Sequence, residues 1–130
     1  MSISPVRHLK NGFVENQRSK AHLITAVHTL KENLNYFPSY EIMLDDLRDY
    51  RFYKDDFIHP NELAINYIWQ KFSETYIDKK AFPTMQKIEK IRQGLAHKSF
   101  NPGSPQDINR LNKLQVDIHK LQLEFPWMKF

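Results

Sequence analysis

The 130-residue chain contains no cysteine and only three glycines. The first absence removes disulfides, thiolate nucleophiles and cysteine-based zinc sites. The second leaves no glycine-rich loop to cradle a phosphate. No apolar run approaches the roughly 20 residues of a membrane-spanning helix. The first residues also lack the charged start and apolar stretch of a secretory leader. We therefore expect a cytoplasmic chain with no membrane engagement. A dense basic run is missing too. The formal charge of +4 arises from eight Lys/Arg against four Asp/Glu beyond residue 80, interspersed with Glu89, Asp107, Asp117 and Glu124, while the first eighty residues carry eleven of each sign. A solvated helix face accounts for this spread, so nucleic acid is not an expected partner.

What is present suits a folded domain. Hydrophobic residues make up 41% and aromatic residues 13% of the sequence, enough for a core at this length. "SISPVRH" reads as a short strand ending at Pro5, and Asn11-Gly12 as a turn. Leu23, Val27, Leu30 and Leu34 recur at helical spacing, which predicts an amphipathic helix from Ser19 to about Leu34. "NYFPSYEIML" reads as a buried strand broken by Pro38. Two parallel strands joined by a helix would belong to an α/β layer.

Beyond this unit the reading becomes helical. "DDLRDYRFYKDDF" predicts a helical turn and a loop. Asn61 is placed to cap a helix carrying Leu63, Ala64, Tyr67, Ile68, Trp69 and Phe72, apolar on several sides and so expected to be buried on more than one. Two further stripes, Met85-Ile88-Ile91-Leu95 and Leu111-Leu114-Ile118-Leu121-Phe125, predict a helical hairpin. Its turn contains Gly103, with Ser104 as N-cap, Pro105 at the first helical position and Asp107 in the first turn. The expected division is residues 1–80 and 81–130.

Few residues offer chemistry. Asp56 and His59 form an Asp-x-x-His pair before the Pro60-Asn61 helix entrance. An aspartate at that spacing can hold an imidazole in one tautomer, while the competing reading has Asp56 and Asn61 satisfying backbone N–H groups beside an incidental histidine. No two histidines are four apart, and Asp45, Asp46, Asp49, Asp55 and Asp56 lack the spacing and glycine of a calcium loop, so neither a metal nor a cofactor is expected. The Tyr50, Phe52, Tyr53 group and Tyr67, Trp69, Phe72 can line a pocket or simply fill a core.

Three stretches, "SPVRHLKNGFVENQRSKAHL", "YFPSYEIMLDDLRDYRFYKDDFIHPNELAINYIWQKF" and "AHKSFNP", resemble the C-terminal half of a GSCFA-domain protein. That family is related to the SGNH (GDSL-like) hydrolases. The resemblance implies a partial three-layer α/β fold with about two parallel strands, followed by the hairpin. It implies that Asp56 and His59 are two members of a Ser-His-Asp triad acting on an ester, such as an O-acyl group on a carbohydrate. The Gly-Ser-Cys-Phe-Ala motif that supplies the serine does not occur in these 130 residues, and Ser2 and Ser4 do not match it. The chain thus reads as a C-terminal portion, inactive alone, with an apolar face and a strand edge open to an N-terminal half or to self-association. Arg7 and His8, just past the expected strand end, are candidate substrate-binding residues. The competing function is a noncatalytic interaction module built on the C-terminal hairpin.

Overall fold

The computed structural model describes residues 1–30 and 34–130. The chain divides into two compact units, Met1–Tyr76 and Ile77–Phe130.

The first unit contains α1 (Phe13–Thr29), α2 (Ser39–Glu41) running directly into a π-helix (Ile42–Leu47), and α3 (Glu62–Tyr76). The expected three-layer α/β fold with two parallel strands is not what forms. Among the described residues there is no strand, only isolated bridges, one parallel between Ser2 and Phe37 and one antiparallel between Tyr53 and Pro60. The Phe37 N–H donates to the Met1 carbonyl over 2.8 Å, and there the pairing stops. A lone parallel pair has no neighbouring strands to cover its faces and extend its ladder, and parallel pairing is sustained only in buried sheets.

The "EIML" half of the second expected strand is helical. Its continuous apolar appearance conceals Tyr40, Met43 and Leu47, spaced by three and four and all buried. This is the ambiguity of short apolar runs, which periodicity alone does not resolve. Met43, only 1% exposed, joins Leu47, Tyr53 and Ala64 in one cluster, with Phe52, Tyr67 and Ile68 against it. The Tyr67 hydroxyl donates to Asp46 over 2.6 Å, adding a polar tie between α3 and the π-helix.

The first helix also departs from expectation. It starts at Phe13, six residues before Ser19, and the part of the expected last turn at 31–33 lies outside the described residues. Its buried residues are Asn16, Lys20 and Val27, whereas Leu23 and Leu30 stay 47% and 59% exposed. The reason is the N-terminal segment beside it, which is neither helix nor strand. Without a sheet, the backbone of residues 1–8 takes partners from side chains: Lys20 Nζ donates to the Ser4 carbonyl over 2.6 Å, Ser39 Oγ to the Ile3 carbonyl over 2.7 Å, and the His8 N–H donates to Asn16 Oδ1 over 2.7 Å. Buried backbone groups require such partners. Burial lowers the Lys20 pKa. Ile3, Val27 and Tyr40 close a second apolar cluster over these contacts.

Helix α3 begins as its sequence predicts, with Asn61 Oδ1 accepting from the Ala64 N–H over 3.1 Å. It is not covered on several sides, since Leu63, Ile65 and Trp69 are 60%, 45% and 50% exposed.

The second unit is a helical hairpin of α4 (Phe82–Ala96) and α5 (Pro105–Glu124). Ile91, Leu114, Ile118 and Leu121 form its core, flanked by Ile88, Phe125 and Met128. Ser104 Oγ accepts from the Asp107 N–H, and Pro105 occupies the first turn. Asp107 is itself buried, where Arg110 holds its carboxyl below the usual carboxylate range. The same arginine donates to the Gly94 carbonyl over 3.0 Å and so links the two helices. Gly94 sits where the helices approach closely, since a Cβ there would lie 2.8 Å from a Leu114 methyl.

Met43→Ala should lower unfolding free energy by about 2–5 kcal/mol through the cavity it leaves. Ser104→Ala should cost about 1 kcal/mol through the lost cap. Urea denaturation measures both, and an unchanged midpoint for either would contradict the packing or cap described.

Candidate active site

The loop between the short 3-10 turn Tyr50–Phe52 and α3 folds back on itself. The Lys54 N–H donates to the His59 carbonyl over 2.8 Å, the Phe57 N–H to Lys54 over 2.9 Å, and the Asn61 N–H to Phe52 over 2.9 Å. Phe57 turns the chain in the left-handed region at φ 55°, uncommon for a bulky residue. Asn61 Nδ2 also donates to the Arg51 carbonyl over 2.6 Å, so one side chain both caps α3 and closes the loop.

The loop brings Asp56 and His59 together. Asp56 uses its two oxygens separately. Oδ1 accepts the N–H groups of Ile58 at 2.8 Å and His59 at 3.0 Å, and Oδ2 lies 2.7 Å from His59 Nδ1. The backbone N–H of His59, then that of Ile58 and the imidazole contact, hold the Asp56 pKa at about 2. The carboxylate is therefore ionised at neutral pH and can only accept. Nδ1 accordingly carries the proton donated to Oδ2, and in the neutral imidazole the lone pair then lies on Nε2. Among the described residues nothing bonds Nε2, and the His59 side chain is 53% exposed. Such an imidazole can take a proton from a hydroxyl placed at Nε2.

Arg7 reaches the same loop. Its backbone N–H donates to the Ile58 carbonyl over 3.2 Å and its Nη1 to the Phe57 carbonyl over 3.0 Å. The guanidinium stacks over Tyr53, 4.2 Å from the ring centroid, and lies 5.4 Å from that of Tyr50. These two cation–π contacts fix an arginine that is only partly buried. His8 is not brought into the group. Its N–H is spent on Asn16, and its residue is exposed at the start of the Leu9–Asn11 turn. Ser2 and Ser4 are exposed, and Ser4 Oγ accepts from the Val6 N–H.

In the sequence the tyrosines can line a pocket, although aromatics at helical spacing usually fill a core. Tyr53 serves the core with its ring and Arg7 with its face, whereas Tyr50 is 64% exposed. Arg48 carried no sequence signal. It ends the π-helix at φ 39° and borders the same cleft as Arg7, Tyr50 and Tyr53. Among the described residues no group of three or more histidines and carboxylates is placed to hold a metal.

Two family models match the chain. The chain matches the GSCFA family over residues 1–72, a span that contains the whole Asp56-His59 loop and Arg7. Residues 88–130, most of the hairpin, match the C-terminal domain of GSCFA domain proteins. The chain belongs to the GSCFA family. No curated protein and no solved structure matches it.

The bond pattern predicts how Asp56 titrates. Its folded pKa lies below the ordinary 3.8, so its stabilisation is complete above about pH 4 and is lost as pH falls towards 2. Carboxyl NMR should show a midpoint near 2 for Asp56. In His59→Ala the midpoint should remain depressed, because the backbone donors persist. A return to the ordinary value in that variant would show that the imidazole, rather than the loop backbone, sets the charge.

Proposed function

We propose that this chain supplies the Asp-His half of a Ser-His-Asp triad for hydrolysis or transfer of an ester, with an O-acyl group on a carbohydrate as the substrate class. The observation that carries the reading is the 2.7 Å contact between Asp56 Oδ2 and His59 Nδ1, with Nε2 left unbonded and exposed. Asp56 is the orienting carboxylate: it selects the tautomer and stabilises the imidazolium formed on proton transfer. His59 is the general base towards a serine hydroxyl, and the general acid towards the leaving oxygen. Membership of the GSCFA family supports this assignment.

The nucleophile is supplied from outside these 130 residues. Among the described residues neither Ser2 nor Ser4 hydrogen-bonds His59, and an Asp-His pair without a serine and oxyanion donors has nothing on which to form an acyl intermediate. The isolated chain is therefore inactive in this reading. A groove of about 340 Å³ beside the loop is bounded by Ser2, Phe37, Pro60, Ile65, Trp69 and Phe72. Its apolar walls and the single parallel bridge at its edge suit the polypeptide segment that carries the serine.

The interaction-module reading has less to stand on. It was motivated by the stripe from Leu111 to Phe125, yet Leu114, Ile118 and Leu121 are buried against Ile91 inside the hairpin. Only Leu111 of that stripe is substantially exposed, at 45%.

With a serine-bearing GSCFA N-terminal segment added in trans, the chain should hydrolyse a simple acetyl ester. Asp56→Asn should lower kcat by about 10⁴-fold, as expected when the imidazole takes the wrong tautomer. His59→Ala should lower it at least as far. Activity unchanged by His59→Ala would overturn the assignment.

A further inference from the structure

A cleft of about 200 Å³ is walled by Arg7, Arg48, Asp49, Tyr50 and Tyr53, with Met43 and Leu44 completing its lining, and Arg7 connects it to the Asp56-His59 loop. Arg7 belongs to both features, because the side chain that borders the cleft also bonds the Phe57 carbonyl of the loop. The volume falls short of the roughly 300–1,000 Å³ of sites that enclose a whole small molecule, so it suits one compact substituent.

The chemistry of its walls is that of an oxyanion receptor. Two arginines line the cleft, and among the described residues neither has a carboxylate within ion-pair distance. The carboxylate in the wall, Asp49, spends Oδ1 on the Arg51 N–H. Arg7 is pre-set by its tyrosine stack, which lowers the ordering cost of binding. Arg48 holds a left-handed conformation at the end of a π-helix, a rare element often found at functional sites. The Tyr53 hydroxyl is buried with no hydrogen-bond partner among the described residues; what Tyr53 offers the cleft is the ring that seats the Arg7 guanidinium.

We propose that this cleft is an anion subsite in which Arg7 and Arg48 bind a carboxylate or phosphate group carried by the ester substrate. The assignment to a substrate rests on the esterase reading above; the binding of an oxyanion does not. Paired guanidinium groups favour planar, forked recognition of either group. The cleft and the unbonded Nε2 of His59 then serve one substrate, with the charged group held beside the loop and the ester presented to the imidazole.

The test uses the 130-residue chain, titrated separately with inorganic phosphate and malonate at constant ionic strength. Arginine Nε–H and tyrosine ring signals in NMR report occupancy. Saturable shifts at Arg7, Arg48 and Tyr53 are expected, with Kd about 1 mM or tighter. Whichever anion binds more tightly identifies the group. Arg48→Gln, at an exposed position that leaves the core intact, should weaken binding about tenfold or more. Arg7→Lys, which keeps charge but loses the fork, should also weaken it. His59→Ala should leave anion binding unchanged, so a failed catalytic reading is distinguishable from a failed subsite. Shifts that do not saturate, or affinity indifferent to both arginine changes, would overturn the subsite. Equal turnover of anionic and neutral esters by the completed enzyme would overturn its assignment to the substrate.

Discussion

The first eight residues form no strand and have no sheet to receive them, and the rest of the N-terminal unit is organised around that constraint. Lys20, Ser39 and Asn16 provide the partners a neighbouring strand would have supplied. A helix asked to do this buries a polar face, which is why α1 turns Asn16 and Lys20 inward and leaves Leu23 and Leu30 outside. Burying an amine is tolerable here because its head group meets a carbonyl at one side and the Tyr40 ring at the other. Once the segment is fixed, Arg7 stands at its end and reaches the loop that carries Asp56 and His59. The alignment of the candidate site thus descends from backbone satisfaction several residues upstream.

The parts of the fold legible in the sequence were those where one local signal had no competitor. Ser104, Pro105 and Asp107 announced the start of α5, and Asn61 that of α3, because capping is a property of a few adjacent residues. The strands were misread for the opposite reason. "NYFPSYEIML" is apolar enough for a buried strand, and whether it pairs depends on neighbours that the described chain does not provide. Helix α1 was misplaced because periodicity assumes that the inward face is apolar. Its leucine stripe is real, but tertiary demand for hydrogen-bond donors and acceptors outweighed it.

The candidate site was legible as a spacing and not as a device. Asp-x-x-His states that two side chains are near, whereas the division of Asp56 between backbone and imidazole follows from the left-handed turn at Phe57. Asn61 was recognisable as a cap, but its second task of tying the loop to Arg51 was not. Arg48 was invisible, since nothing in "DDLRDY" signals a π-helix that ends in a positive φ. The tyrosines show the limit most plainly, because ring burial and cation stacking draw on the same residue type.

The loop from Tyr53 to Asn61 closes on itself at both ends, by the Tyr53–Pro60 bridge and the Lys54–His59 bond, and it contains both members of the Asp-His pair. The two side chains therefore form a cassette. The bonds between them lie within nine consecutive residues, and Arg7, Arg51 and Phe52 brace that segment from outside. Divergence of the scaffold beyond these contacts can shift, tilt or re-aim the pair as a rigid piece without dismantling it. A short, contiguous segment of this kind is portable between protein backgrounds in a way that a pair assembled from distant elements is not.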